Sequence, residues 1–136
     1  MRGATPPANG SARTSGARPR AAVCDADPAA ARLLARYLAD AGFSVTTCAS
    51  AEECEALIER EAPALACVAI ILPGTDGLAL TRRLRRQAPD LRIIVVSTLH
   101  ADGRARQAGA DAFLLKPIAR AHLLGAVRAP TGRAGS

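Results

Sequence analysis

The side chains of this 136-residue chain that could do chemistry are few and scattered. Asp25 and Asp27 follow the run AAVC, Asp76 follows LPGT, and Ser97 ends RIIVVS. Lys116, the single lysine beside seventeen arginines, precedes Pro117. Carboxylates supply nucleophilic oxygens and hard ligands for Mg²⁺, and an ammonium supplies a compact charge for an anion. In a parallel α/β sheet such groups belong in the crevice beyond the strand ends, where ligands bind. CVAIILPGTDG (67–77) has the shape of a strand entering that crevice, yet it holds no carboxylate, imidazole or amine before Asp76. Cys24, Cys48, Cys54 and Cys67 lack CxxC spacing and read as small core hydrophobes rather than metal ligands or disulfides. His100 and His122 have no companion ligands and read as exposed. The chain has no GxxxxGK[ST] or GxGxxG loop after its first strand, and no HExxH or GxSxG.

The elements that must position these residues alternate at short intervals, which predicts repeated βα units around a parallel sheet. The expected strands are 21–24, 44–48, 66–70, 92–97 and 111–115. Asp27 can cap a first helix opened by Pro28, with Leu33, Leu34, Tyr37, Leu38 and Ala41 inward and Gly42 at its end. Ser50 and Glu53 form a capping box for a second helix burying Cys54, Leu57 and Ile58. Asp76 caps a third, with Leu80, Thr81 and Leu84 inward and Arg82, Arg83, Arg85 and Arg86 on a solvated face. The segment 98–109 has little apolar stripe and an internal Gly103, so the fourth helix is short or frayed. A fifth spans 119–128, with Leu123, Leu124 and Val127 inward and Pro130 stopping it. The expected fold is a doubly wound (βα)5 flavodoxin-like α/β domain, a five-stranded parallel sheet of order 2-1-3-4-5.

The formal charge of +6 lies in the ends: residues 1–20 hold four arginines, 128–136 hold two, and neither has an acid. The body between them is neutral, so composition gives little support for nucleic-acid binding, and the aromatic residues Tyr37, Phe43 and Phe113 lie outside both tails. Residues 1–20 mix Pro, Gly, Ser and Arg and are expected to be a disordered basic leader, with 129–136 a disordered tail. No signal-peptide core or ~18-residue apolar span is present, so a stand-alone cytoplasmic domain over 21–128 is expected.

Several dispersed motifs in order resemble the receiver domain of bacterial two-component response regulators. VCDADP (23–28) is similar to that family's first acidic turn and GFSVTTCAS (42–50) to its second strand. LPGTDGL (72–78) is similar to its loop after strand three, and AGADAFLLKP (108–117) to its run into strand five. The resemblance implies phosphoryl transfer from a histidine kinase to an aspartate ending strand three, with Mg²⁺ held by that aspartate and an acidic pair after strand one. Carried over, the acceptor falls on Ala69, the acidic pair on Asp25 and Ala26, the switch hydroxyl on Ser97, the switch aromatic on Phe113 and the phosphate-contacting lysine on Lys116, whose bond to Pro117 is expected to be cis.

A methyl at Ala69 cannot accept phosphate, and Ala26 lacks a ligand oxygen. The expected protein is therefore a degenerate, non-enzymatic receiver in which Asp25 pairs with Lys116 and Mg²⁺ binding is weak or lost. It binds a protein partner, a histidine kinase or a response regulator, without aspartyl phosphorylation, and helix one is the preferred contact. Ser97 is expected to bond to backbone and Phe113 to pack rather than switch. Two alternatives are phosphorylation at Asp25 or Ser97, and a small-ligand sensor using the emptied crevice.

Overall fold

The computed structural model describes residues 18–129. Its elements are β1 (Arg20–Cys24), α1 (Pro28–Asp40), β2 (Ser44–Cys48), α2 (Ala51–Glu61), β3 (Leu65–Ala69), β4 (Ile71–Leu72), β5 (Thr75–Asp76), α3 (Gly77–Gln87), β6 (Arg92–Ser97), α4 (Asp102–Gln107), β7 (Ala112–Leu115) and α5 (Arg120–Arg128). Five strands form one parallel sheet, β2-β1-β3-β6-β7. Setting aside β4 and β5, this is the flavodoxin-like order expected. The expected disorder of the leader and tail falls mostly outside the described residues. Its inner boundary is corrected, because Arg20 pairs with Ser44 and the Pro19 carbonyl accepts from Ser44 N.

Caps set where the helices begin. Asp27 accepts from Ala29 N ahead of Pro28, Ser50 accepts from Glu53 N, and Asp76 accepts from Ala79 N. Glu53 reaches back to Ala49 N at 2.9 Å, closing a variant of the capping box one residue before the cap. The fourth helix has only six residues and no side-chain cap. The Pro-Gly turn is more ordered than the sequence suggests: β4 and β5 pair as a small antiparallel hairpin, with Gly74 at φ 75. Beside it, a Cβ on Gly77 would overlap the Ala69 carbonyl, so only glycine lets α3 start against the end of β3.

The core lies on both faces of the sheet, and all five β3 residues are buried. Leu34 and Leu38 of α1, Leu57 and Ile58 of α2, and Leu80 and Leu84 of α3 close it, each worth about 1.5–3 kcal/mol of apolar burial. Three expectations need correction. Leu33 and Ala41 face solvent, and Ala31 takes the inward place on α1. In α5, Leu124 and Val127 are only half-buried, while Ala126 is buried beside Leu123. The α3 arginines are not a uniformly solvated face. Arg85 donates to the carbonyls of Gly109 and Leu91 and to Asp111, whose side chain is fully buried and also accepts from Ile93 N. Arg83 pairs with Glu55 of α2 at 3.0 Å. These bonds tie α3 to its neighbours. No helix among the described residues is long and apolar enough to cross a membrane.

Candidate functional site

The carboxyl ends of β1, β3 and β6 open together because the sheet is parallel and the order of strand addition switches sides between β1 and β3. A cleft of about 360 Å³ lies there, lined by Asp25, Ala26, Asp27, Ala69, Ser97 and Lys116 among others. A larger cleft of about 980 Å³ lies at the opposite end of the sheet, between α2 and α3, and contains none of these residues.

Asp25 is 4% exposed and follows β1 directly. Its Oδ2 accepts from Lys116 Nζ at 2.8 Å, and its Oδ1 accepts from Asp27 N at 3.0 Å. The direct pair expected from the resemblance is therefore present, and both carboxylate oxygens are engaged. Asp27 has a double part: its backbone orients Asp25 while its own carboxylate caps α1. Ala26 projects no polar side-chain atom into the cleft. Ala69, 3% exposed, brings only its methyl from the end of β3.

Ser97 ends β6, where its Oγ accepts from Leu99 N at 3.1 Å and its carbonyl accepts from Lys116 N at 2.8 Å. That second bond holds the loop after β7 against β6, so the lysine leaves the backbone at the cleft rim. Lys116–Pro117 is cis. Phe113 sits mid-β7, half-buried against the core, and does not line the cleft. His100 and His122 are exposed.

A contact absent from the sequence reading lies behind Asp25. Cys24 and Cys48 are paired in register on adjacent strands, and Cys54 of α2 sits over them. The sulfur atoms of all three lie within 4.8 Å of one another. All four cysteines are free thiols, and Cys24, Cys54 and Cys67 are buried as expected. Hydrogen bonding within the trio lowers the pKa of Cys48, chiefly through Cys24, and raises that of Cys24. Burial alone pushes Cys67 up to about 12. The signal for the cluster was available only through strand register, which cysteine spacing does not reveal.

Comparison with known proteins adds a separate line of support. The profile of the Response regulator receiver domain family matches residues 21–128. The chain is 40% identical over 100 residues to the transcriptional activator protein ExaE of Pseudomonas putida, covering 70% of this chain and 47% of that protein. It is 33% identical over 122 residues to the phosphate regulon transcriptional regulatory protein PhoB of Rhizobium meliloti, covering 85% and 53%. The chain thus spans about half the length of these relatives. Among solved structures, a CheY-like receiver domain protein from Methanospirillum hungatei JF-1 superposes with a TM-score of 0.76 at 30% identity, covering 82% of this chain and 91% of that one. A response regulator from Burkholderia pseudomallei, solved with a phosphorylated aspartic acid, calcium ion and citrate, superposes at 0.75 with 28% identity, covering 81% and 66%.

Proposed function

This chain belongs to the response regulator receiver domain family, and from that premise we propose that it is a pseudo-receiver, a signalling module that binds a protein partner in one fixed state without aspartyl phosphorylation. The observation carrying this reading is the cleft floor: Ala69 offers a methyl where an acceptor carboxylate is needed, and the one deeply placed acid, Asp25, has both oxygens bonded.

The same donor set does not fit Mg²⁺. An octahedral ion keeps several waters but needs anionic oxygen ligands from the protein. Ala26 and Ala69 supply none, and Asp25 would have to leave Lys116. An unoccupied pocket with three carboxylates and one lysine would carry like charges repelling by about 4 kcal/mol at 4 Å and an effective dielectric near 20. Here Asp25 and Lys116 neutralise each other, and Asp27, the other acid lining the cleft, turns its carboxylate to the Ala29 N–H at the start of α1, so a single ground state needs neither metal nor phosphate. Phosphorylation at Asp25 or Ser97 is disfavoured on the same grounds. Asp25 is buried and paired, and the Ser97 hydroxyl oxygen is held by Leu99 N.

The partner surface in this reading is α1. It is a full 13-residue helix, whereas α4 has six residues and offers a reduced face. Leu33, 42% exposed, stands beside a mostly apolar hollow of about 400 Å³ that runs to Pro117 and Ile118. A histidine kinase docked there would be occupied without losing its phosphoryl group, and a response regulator is the other candidate partner. Contact with protein rather than nucleic acid fits the aromatic residues, since Tyr37, Phe43 and Phe113 pack against the core and leave no stacking platform.

The test is incubation with a small-molecule phosphodonor and Mg²⁺, followed by intact-mass measurement. The expected spectrum has no adduct of roughly 80 Da, one phosphoryl group. A stoichiometric adduct refutes the proposal, and peptide mapping then identifies the accepting residue.

A further inference from the structure

Cys24, Cys48 and Cys54 come from three elements, β1, β2 and α2, yet they converge on one point. Trigonal coordination with metal–sulfur bonds of about 2.3 Å places the sulfurs about 4.0 Å apart. With every pair already within 4.8 Å, the widest needs to close by no more than about 0.8 Å. That is within the reach of a side-chain rotation and requires no movement of the sheet.

The donor set is also chemically selective. Among the described residues, this close group holds three sulfurs and no imidazole or carboxylate. The neighbouring acids are committed elsewhere, Glu53 to Ala49 N and Asp25 to Lys116. Sulfur-only ligation selects soft ions, whereas Mg²⁺ and Ca²⁺ require oxygen. An entry path exists as well: Cys48 is half-buried and lines an open cleft of about 370 Å³ with Arg32 and Glu53. Cys24 and Cys54 are buried behind it.

We propose that Cys24, Cys48 and Cys54 form a three-coordinate thiolate site for a soft monovalent metal ion of the Cu(I) class. Binding replaces the thiol protons with metal–sulfur bonds, releases those protons to solvent and involves no change of oxidation state. The proposal does not rest on the pseudo-receiver reading, because none of the three sulfurs belongs to the cleft that holds Ala69.

The test is an anaerobic titration of the reduced full chain with Cu(I) presented by a chromogenic chelator. The expected result is saturation at one ion per chain, an all-sulfur shell by X-ray absorption, and protection of Cys48 from alkylation. Cys48→Ser is expected to lose the 1:1 saturation while keeping its circular dichroism spectrum. Failure to saturate, a nitrogen- or oxygen-dominated shell, or unchanged affinity in a folded Cys48→Ser variant overturns the proposal. So does displacement of bound Cu(I) by an equimolar amount of Zn²⁺. If Cys48→Ser does not fold, the unmodified chain decides: equal alkylation of Cys48 with and without Cu(I) refutes the site.

Discussion

Replacing Lys116 with methionine keeps most of the side chain's length and removes its charge. The ammonium lies 2.8 Å from Asp25 Oδ2, with the lysine side chain 21% exposed and the aspartate 3%. At that distance the gross attraction is about 6 kcal/mol at an effective dielectric near 20, and much of it is offset by the cost of taking both groups out of water. A hydrogen bond to a charged group retains about 1.5–3 kcal/mol net. Lys116→Met also leaves a buried carboxylate with a single backbone donor, Asp27 N. The expected loss is therefore about 3 kcal/mol, near the low end for breaking a buried pair because lysine is partly hydrated. In a domain of this size that lowers Tm by roughly 10–15 °C. Asp25→Asn should cost less, and the double variant should recover part of the loss, giving a coupling of about 2 kcal/mol in a double-mutant cycle. Urea denaturation of the four proteins at pH 7 measures it. A coupling below about 0.5 kcal/mol would mean that the two groups are independently solvated, and the self-neutralised pocket would be refuted.

Restoring carboxylates with Ala26→Asp and Ala69→Asp should lower stability in the absence of metal, since like charges return to one cleft at about 4 kcal/mol per close pair before relaxation. The same variant should gain Mg²⁺-dependent melting and phosphoryl uptake, and neither gain would mean the crevice is remodelled beyond these two positions. Gly77→Ala should destabilise by about 3 kcal/mol or prevent folding, because the added carbon meets the Ala69 carbonyl and Ile70 Cα, backbone that cannot swing aside; an unchanged melt contradicts this. Arg85→Ala takes the guanidinium away from the fully buried Asp111 carboxylate, which keeps the Ile93 N–H, and should cost about 3 kcal/mol in denaturant titration. Cys67 rises from 9.0 to about 12 on burial, so the unfolded chain ionises first and stability falls as pH climbs through that window. The loss approaches about 4 kcal/mol at its upper end. Cys67→Ala should have a shallower slope of stability against pH above 9, and parallel slopes would show that the thiol does not contribute.

The order of elements was legible in the chain because each depends on neighbours in sequence. Asp27 before Pro28, Ser50 with Glu53 and Asp76 with Ala79 are contacts within a few residues, and the caps formed as composition and spacing predicted. The fully apolar run read as a central strand over 66–70 forms one over Leu65–Ala69, a shift of one residue. The place of Ala26 and Ala69 at the cleft was legible for a different reason: resemblance carried a three-dimensional site onto them. Side-chain direction was less accessible. Leu33 keeps helical spacing with Tyr37, four residues on, yet faces solvent, since the width of the buried stripe is set by what packs against α1. Arg85 looked like one charge in a solvated row until the fold brought Gly109, Leu91 and Asp111 to it.

Sequence by itself therefore determined the elements and their order, consequences of local propensity, and through resemblance it placed Ala26 and Ala69 at the crevice. Apart from the Asp25–Lys116 pair, which resemblance carried over, tertiary structure decided which distant side chains touch. Cys24 and Cys48 meet because parallel strands align them in register, and Cys54 joins them because α2 folds back over β1 and β2. A chain carries no record of register apart from the packing that selects it, so the thiol cluster appears only once the sheet has closed.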